Sequence, residues 1–394
     1  MTTDIWTITT PIDGPYVRGA RELERTERGT LPHRLPAIAR EQANDAALSL
    51  VESQPSAVRI VFRTEATTIE LDTLRTRTTY AGMPPRPDGL IDLVVDGRVV
   101  AEASTSGGNT ITLGAGEPQV DNGPVSTIRF EGAADGLVAG VKDVELWLPQ
   151  YETTELIELR TDAPVEPIPA TGKPVWLHHG SSISHGSNAA KPTGIWPAVA
   201  SRLGGVDLVN LGFSGNALLD PFTARAIRDA EADVISVKFG INVVNLDLMR
   251  LRAFGPAVHG FLDTIRDGHP DTPLLVVTPI YGGSHEDVPG PGGFDAEALS
   301  AGTVRFVATG DPAEVAAGKL TLQVIRAELE RIVRERAATD PNLHLLNGLD
   351  LYGEQDAEER PLPDGLHPDS ETHQLMGERF AAFAFSEGAP LAVE

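Results

Sequence analysis

The sequence predicts a chain in two parts, an all-β sandwich-like segment followed by an α/β segment built on a parallel sheet. Short runs with period-two alternation fill the first part, residues 1–165, and compact apolar runs alternate with helical segments in the second, residues 174–394. The length of 394 residues exceeds that of one ordinary domain, which also favours two. The Pro-rich stretch Thr161–Pro174 lies where the pattern changes and indicates a linker.

The first part contains many short runs in which apolar and polar residues alternate. Asp96-Gly97 stands between two such runs, and this dipeptide is a strong signal for a two-residue hairpin turn. Short strands at regular spacing with little helix are typical of a β-sandwich. No cluster of ionisable residues in this part indicates a reaction centre. The predicted strands lie within Ala57–Thr64, Thr67–Thr73, Leu90–Thr105, Asn109–Leu113, Ser126–Gly132 and Lys142–Gln150.

The second part alternates β-branched and Leu-rich runs with helices, which implies a parallel sheet covered on both faces. This is a three-layer α/β/α arrangement, and such sheets place ligands at the carboxyl ends of their strands. The predicted strands are Val175–His179, Val206–Gly212, Asp233–Gly240, Pro273–Ile280 and Leu343–Gly348. The predicted helices are Pro192–Leu203, Pro221–Ala230, Leu246–Asp267, Leu320–Ala338 and Ser370–Phe385.

The composition excludes several classes of function. A formal net charge of −24 repels phosphate backbones and anionic lipid headgroups, so we expect neither nucleic-acid nor membrane-surface binding. The absence of cysteine excludes disulfides, thiolate metal sites and a cysteine nucleophile. The first residues lack a basic region followed by an apolar run, and no stretch approaches the roughly eighteen apolar residues of a membrane span. We therefore expect a cytoplasmic protein.

Residues able to perform acyl transfer follow the predicted strands. The stretch WLHHGSSISHGSN, residues 176–188, carries several serines at the first strand end, and Asp364 and His367 lie three apart before the last helix. A serine hydroxyl is a poor nucleophile until a base takes its proton. A histidine performs this role when a carboxylate fixes its tautomer and stabilises the imidazolium. The sequence therefore predicts that His367, oriented by Asp364, faces a serine of the first strand–helix turn.

Two further strand ends offer hydrogen-bond donors for a developing oxyanion. Gly215 follows the second strand and presents a backbone amide with no side chain to obstruct a substrate. Asn242 follows the third strand and presents a side-chain NH₂ group. The amide of the serine itself, at a helix N-terminus, would be a third donor.

These residues occur in blocks that resemble the SGNH/GDSL hydrolase superfamily over residues 174–385. The resemblance implies a flavodoxin-like α/β/α domain in which Ser182 is the nucleophile, His367 the base and Asp364 its orienting carboxylate. It also implies that the amides of Ser182 and Gly215 and the side chain of Asn242 form the oxyanion hole, with no cofactor and no metal. The matching blocks are Gly180–Ile183, Asn210–Gly215, Gly240–Asn242 and Asp364–Pro368.

Two positions depart from the pattern of the superfamily. Ser181 stands where the family has Asp before the nucleophile, and Val243 stands where an Asp often follows the asparagine. Neither residue carries the proton transfer, so we expect activity. The layout, a β-rich half before the catalytic half, is similar to a subgroup that includes a polyketide-tailoring salicylyl transferase.

The sequence therefore predicts a serine esterase that hydrolyses a carboxylic ester, namely a short acyl or acetyl ester of a sugar or natural product. Two alternatives stay open: an acyltransferase that acts on a small-molecule hydroxyl, and an inactive carbohydrate-binding protein. The expected partner is a small-molecule ester, and the oligomeric state is left open, a homodimer included.

The same residues also permit simpler interpretations. Serines in a strand–helix turn are favoured as helix caps, and a glycine-rich turn of this kind can bind an anion, although the usual Lys-Ser/Thr ending is missing. His178, His179 and His185 have no spacing diagnostic of a metal site. The long Gly/Pro-rich loop Tyr281–Gly293 is a candidate wall of the pocket.

Overall fold

The structure, a computed structural model, describes residues 7–114, 116–168 and 172–392. Within these residues the chain forms two compact units. One holds the residues up to Pro36 with Ser49–Lys173 and Ala190–Thr193, and the other holds Ala37–Leu48, Pro174–Ala189 and the residues from Gly194 onward. The predicted domain division, 1–165 and 174–394, stays a prediction. Its outer ends and residues 169–171 of the predicted linker lie outside the described residues.

The first unit is built mainly from strands. The chain up to residue 168 contains β1 (Ile8–Thr10), β2 (Val17–Arg18), β3 (Glu22–Arg25), β4 (Thr30–His33), β5 (Arg59–Thr64), β6 (Thr68–Tyr80), β7 (Leu90–Val95), β8 (Arg98–Ser104), β9 (Asn109–Leu113), β10 (Gln119–Asp121), β11 (Ser126–Glu131), β12 (Lys142–Trp147), β13 (Glu152–Thr161) and β14 (Val165–Pro167). Two short helices, α1 (Ala37–Ala43) and α2 (Ala46–Glu52), lie between β4 and β5.

These strands form two sheets that share one core. The first has the order β10-β9-β6-β13-β4-β3, with β1 beside β13 and β11 beside β6; the second has the order β14-β5-β12-β7-β8, with β2 beside β5. Phe62 of β5 and Ile69 of β6, which belong to different sheets, are both fully buried in the same cluster. An all-β sandwich is therefore confirmed. Asp96 and Gly97 have φ of 47° and 78°, as a primed two-residue turn requires.

The two short helices are a difference from the expectation of little helix before residue 161. Each spans seven residues, which is less than two helical turns. A helix this short does not show a helical period in the sequence. Apolar residues in α1 do not mark one clear face, since Ile38 is exposed and Ala39 is buried. Helix α1 belongs to the second unit, where it packs on the helix at Pro221–Arg228.

The second unit contains a parallel sheet with helices between its strands. Its strands are β15 (Val175–Gly180), β16 (Asp207–Gly212), β17 (Val234–Lys238), β18 (Leu274–Val277), β19 (Gly292–Phe294), β20 (Phe306–Ala308) and β21 (Leu343–Leu346). Its further helices are α3 (Ser182–His185), α4 (Trp196–Gly204), α5 (Pro221–Arg228), α6 (Ile241–Asn245), α7 (Leu251–Gly268), α8 (Ala296–Ser300), α9 (Leu322–Arg336), α10 (Glu354–Glu359) and α11 (Ser370–Ala384).

Strand β15 shows why this unit has three layers. Successive side chains of a strand point to opposite faces of the sheet. Trp176 contacts Trp196 of α4 and Phe380 of α11 on one face, with ring centroids 6.1 and 4.9 Å away. His179 stacks on Phe261 of α7 on the other face, with centroids 5.7 Å apart. The predicted α/β/α arrangement is confirmed.

The strand order positions the site. The five parallel strands run β16-β15-β17-β18-β21, so the chain moves outward in opposite directions from β15. In sheets of this order, ligands bind in the crevice at the carboxyl ends where the direction changes. A two-stranded insertion, β19 with β20, follows β18 and lies before α9. No helix in the described part of the chain is long and apolar enough to cross a membrane.

Candidate active site

The serine turn follows β15 directly. Ser181 caps the short helix α3 by accepting a hydrogen bond from the Ile183 amide, so the predicted capping role belongs to this neighbour of Ser182. A Cβ at Gly180 would approach the Ser184 hydroxyl oxygen to 2.4 Å, so a larger residue there would displace the Ser184 side chain. Ser182 itself is 7% exposed at this sharp turn.

The structure brings His367 to Ser182, 185 positions away in sequence. The Nε2 atom of His367 lies 2.9 Å from the Ser182 hydroxyl oxygen. Its Nδ1 atom lies 2.8 Å from a carboxylate oxygen of Asp364. Because an ionised carboxylate can only accept, Nδ1 carries the proton and Nε2 is the acceptor for the serine hydroxyl. The arrangement holds the neutral imidazole in the tautomer that a general base requires.

Asp364 is held ionised by its hydrogen bonds. Burial alone would raise the pKa of this carboxyl, but the hydrogen bond and charge of His367 and the amides of Leu366 and His367 lower it to about 2. The two amides donate to one oxygen at 2.9 and 2.7 Å. The other oxygen accepts from His367 and from the side-chain amide of Asn188, the latter at 3.1 Å. A carboxylate with these partners is a fixed negative charge at neutral pH.

The loop that carries these two residues, residues 362–368, is termed the histidine loop. It ends at Asp369, whose side chain caps α11 by accepting from the Thr372 amide. The backbone amide of Phe306 in β20 donates to the Asp364 carbonyl at 2.7 Å, and the Phe306 ring stands edge-on to the His367 ring with centroids 5.3 Å apart. The loop is therefore held at Asp364 and at its C-terminal end.

The expected oxyanion donors come from the turns after β16 and β17. Gly215 has a φ of 73°, a conformation that favours glycine, and a side chain there would point into open space. Asn242 is 3% exposed, and its Oδ1 atom accepts from the Ala217 amide at 3.1 Å. This bond fixes the amide plane, so the Nδ2 group is the free end of the side chain, with no partner among the described residues.

The turns after β15 and β16 are joined by backbone and side-chain bonds. The Phe213 amide donates to the Gly180 carbonyl at 2.8 Å, and the Asn210 side chain donates to the Ser184 carbonyl at 2.9 Å. With the bond between Asn242 and Ala217, these contacts connect all three strand ends. The structure thus collects the five predicted site residues at one edge of the sheet, and their catalytic roles stay a proposal.

Sequence reasoning missed three residues that surround this cluster. Asn188 ends the serine-rich stretch and contacts Asp364, Phe306 contacts His367, and His373 lies one turn into α11. His373 accepts from the Trp196 amide and donates to the Ser187 carbonyl, and burial lowers its pKa to about 4. His373 lies six residues after His367 in the sequence, and this closeness is the one signal that could have indicated it. The contacts of Asn188 and Phe306 depend on loops that carry no periodic signal.

Two other histidines of the serine-rich stretch, His178 and His179, are buried and hydrogen-bonded within the fold. His178 is bonded to Ser236 at 2.7 Å and to Ser184 at 2.8 Å, and burial places its pKa well below the ordinary value. His179 donates to the Leu211 carbonyl, and burial lowers its pKa to about 4. Among the described residues, no group of three His, Cys, Asp or Glu side chains is arranged to hold a metal ion.

The fold and this cluster define an α/β/α enzyme of the acylhydrolase or acyltransferase class. Residues 172–284 match the model of the GDSL-like lipase/acylhydrolase family. A salicylyl-acyltransferase from a tetracycline biosynthetic pathway is 26% identical, with a TM-score of 0.77 over 95% of this chain and 94% of that one. Over residues 172–284 the chain is therefore similar to the GDSL-like lipase/acylhydrolase family, and over nearly its whole length it is similar to this acyltransferase.

Two more distant structures share the fold over nearly the whole chain. One is described as a GDSL-like lipase from Bacteroides ovatus, at 18% identity and a TM-score of 0.67, covering 95% of this chain and 96% of that one. The other is a family two carbohydrate esterase from Cellvibrio japonicus, at 11% identity and a TM-score of 0.55 with the same coverage. No curated protein sequence matches this chain significantly.

Proposed function

We propose that the protein is a serine esterase that cleaves a small-molecule carboxylic ester through an acyl-enzyme on Ser182. The observation that carries the proposal is the unbroken hydrogen-bonded chain from the Ser182 hydroxyl through His367 to Asp364, with distances of 2.9 and 2.8 Å. This is the arrangement that activates a serine hydroxyl. The departures at Ser181 and Val243 touch neither bond.

The first half of the reaction forms the acyl-enzyme. The Ser182 oxygen attacks the ester carbonyl carbon while its proton passes to Nε2 of His367. The carbonyl oxygen becomes an oxyanion that the amides of Ser182 and Gly215 and the Nδ2 group of Asn242 stabilise. The ionised Asp364 stabilises the imidazolium, which then gives its proton to the departing alcohol as the carbon–oxygen bond of the ester breaks.

The second half releases the acid. A water molecule gives one proton to Nε2 of His367 and its oxygen attacks the acyl carbon, and the second oxyanion occupies the same donors. The intermediate collapses, Ser182 leaves with the proton returned by the imidazolium, and the carboxylic acid departs. The chemistry needs only these side chains and water.

Acyl transfer is the second candidate, with an alcohol in place of the water. The likeness to a salicylyl-acyltransferase, at 26% identity over 95% of the chain, favours it. A short acyl or acetyl ester of a sugar or natural product is the substrate proposed for hydrolysis, and the likeness to carbohydrate esterases supports it at the level of the fold. An inactive carbohydrate-binding role is less favoured, because the complete proton-transfer chain would have no use there.

The test uses the wild type and two serine variants. We expect a fluorophosphonate probe to label the wild type, and p-nitrophenyl acetate to give a burst followed by steady turnover. Ser182→Ala should lose labelling and at least about 10³-fold of the turnover. Ser184→Ala is the matched control, since it removes a hydroxyl two residues along the same turn that bonds His178 instead, and it should still be labelled.

Labelling of Ser182→Ala, or retained turnover in that variant, would contradict the proposal. Lack of labelling in a folded wild type would favour the binding role. Hydrolysis and transfer are separated by supplying benzyl alcohol with the acyl donor, because a transferase forms the benzyl ester while a hydrolase releases mainly the acid.

A further inference from the structure

A cavity of about 580 Å³ lies beside the histidine loop. Its walls come from the loop after β18, from β20 with Arg305 before it, from Tyr352 and α10, and from Pro361 with the histidine loop. This volume falls in the range of about 300–1,000 Å³ typical of small-molecule sites. It is far larger than the acetyl group of the proposed short-acyl ester, so it suits a larger part of such a substrate.

The lining is mainly apolar and aromatic, with Arg305 and Ser284 among its polar side chains. Tyr281, Phe306, Val307 and Leu362 line it, and each is only partly buried, so these side chains present apolar surface to the cavity. Ala308, which follows Phe306 and Val307 on β20, is a small residue of the same lining. Removing such surface from water on binding is favourable by about 25 cal/mol per Å². The cavity therefore suits an apolar group with one or more rings.

The position of the cavity decides which end of an ester it holds. Phe306 forms part of its wall and also stands against the His367 ring, and Gly365 of the histidine loop lines it as well. The described lining contains none of Ser182, His367, Gly215 and Asn242, so the cavity adjoins the site through Phe306 and Gly365, on the side of the histidine loop. In the reaction, His367 gives its proton to the leaving alcohol or takes one from an acceptor alcohol. The alcohol oxygen must therefore lie on the His367 side, and the carbonyl oxygen on the side of Gly215 and Asn242.

We infer that this cavity binds the alcohol part of the substrate, and that this alcohol carries a bulky apolar or aromatic group. The inference rests on the proposed function, because it places the alcohol by the role of His367. It names the substrate class as esters of large, ring-bearing alcohols with a small acyl group. If the enzyme transfers acyl groups, the same cavity receives the acceptor.

Two isomeric esters test it. Naphthalen-2-ylmethyl acetate and methyl naphthalen-2-ylacetate contain the same atoms and similar leaving groups, but the rings lie on the alcohol in the first and on the acyl group in the second. We expect kcat/KM to be at least about tenfold higher for the first, a difference of about 1.4 kcal/mol. Equal values, or a preference for the second, would overturn the inference.

A cavity-filling variant gives a second readout. Ala308→Trp should lower kcat/KM for naphthalen-2-ylmethyl acetate at least about tenfold more than it lowers kcat/KM for ethyl acetate. Ala313→Trp is the matched control, because Ala313 is exposed and outside the lining, and it should change neither. Thermal melting establishes that both variants fold. Unchanged discrimination in folded Ala308→Trp would overturn the assignment.

The outcome for the cavity can be separated from that for the proposed function. Fluorophosphonate labelling and ethyl acetate turnover report on Ser182 whatever the cavity binds. If no naphthyl ester is turned over, naphthalen-2-ylmethanol should still slow labelling of the wild type and not of Ala308→Trp. Labelling with no such protection would retain the proposed function and overturn the cavity assignment.

Discussion

Asn188 donates its side-chain amide to the same Asp364 oxygen that accepts the Nδ1 proton of His367, at a distance of 3.1 Å. The bond comes from the residue six positions after Ser182, the proposed nucleophile. It connects the serine turn to the carboxylate that is bonded to His367, the proposed base. Asn188 has a φ of 66°, a left-handed conformation that Asn tolerates better than most residues. We infer that it is a positioning residue for Asp364.

Removing this amide should weaken catalysis modestly. Asn188→Gly deletes the donor and keeps the left-handed backbone, so we expect kcat/KM to fall roughly fivefold, corresponding to about 1 kcal/mol for one hydrogen bond. Asn188→Ala should lower activity similarly and reduce the melting temperature further, because alanine resists a positive φ. Unchanged activity in both variants would show that Asp364 needs no support from this side.

Asp364→Asn tests the tautomer argument. The amide side chain can donate to Nδ1, which would put the proton on Nε2 and remove the acceptor for Ser182. We expect kcat to fall by roughly 10³–10⁴ with little change in KM. A fall of less than tenfold would mean that the backbone alone orients His367.

The same substitution changes how stability depends on pH. The pKa of Asp364 is lowered from 3.8 to about 2 in the folded chain, so its stabilisation is complete above pH 3.8 and is lost as pH falls through 2. Asp364→Asn should reduce the free energy of unfolding by about 2 kcal/mol at pH 7 and by much less at pH 2. Urea unfolding at both pH values measures this, with the exposed Asp271→Asn as control.

Asn242 separates a donor from an acceptor within one side chain. Asn242→Asp keeps an oxygen for the Ala217 amide but replaces the NH₂ group with negative charge, whereas Asn242→Ala loses both. We expect kcat to fall by roughly 10²–10³ in Asn242→Ala and at least as far in Asn242→Asp, with KM nearly unchanged. Melting temperatures should fall in both variants, because alanine leaves the Ala217 amide without its acceptor and aspartate buries a charge. A normal kcat for Asn242→Asp would remove Asn242 from the oxyanion hole.

Asp220, which precedes α5, is expected to destabilise the protein at high pH. Burial, followed by the charge of Asp45, raises its pKa to about 6, so the folded chain bears a cost above pH 6 that shrinks as pH falls and disappears below 3.8. Asp220→Asn should therefore raise the free energy of unfolding by about 1 kcal/mol at pH 8, after allowing for solvent screening. At pH 4 it should have little effect. Asp45→Asn should give a smaller change of the same sign.

The sequence predicted the sheet better than the loops. The five apolar runs of the second part correspond to β15, β16, β17, β18 and β21 because buried parallel strands need continuous apolar residues. Helices α7 and α9 were recognised because they are long enough to show a periodic pattern. The insertion β19–β20 was not recognised, since strands of three residues are too short to alternate.

The residues of the candidate site were predicted from the sequence, but the residues that hold them in place were not. The motifs of the superfamily name Ser182 and His367 without stating that they touch, and the sequence separation of 185 leaves no local signal of the contact. Asn188 and Phe306 reach the site through turns whose conformations depend on tertiary packing. The pairing of Asp364 with His367 could be predicted from their spacing in the sequence. The bond between Asp364 and Asn188 could not be predicted in this way.

The backbone hydrogen bond from Phe306 to Asp364 gives strand β20 two roles. Strand β20 forms part of the cavity wall and also holds the loop that carries His367, the proposed base. Remodelling the insertion to admit a different alcohol would therefore disturb His367 as well. A design that changes the selectivity for the alcohol without loss of rate should therefore replace β19, β20 and the histidine loop together.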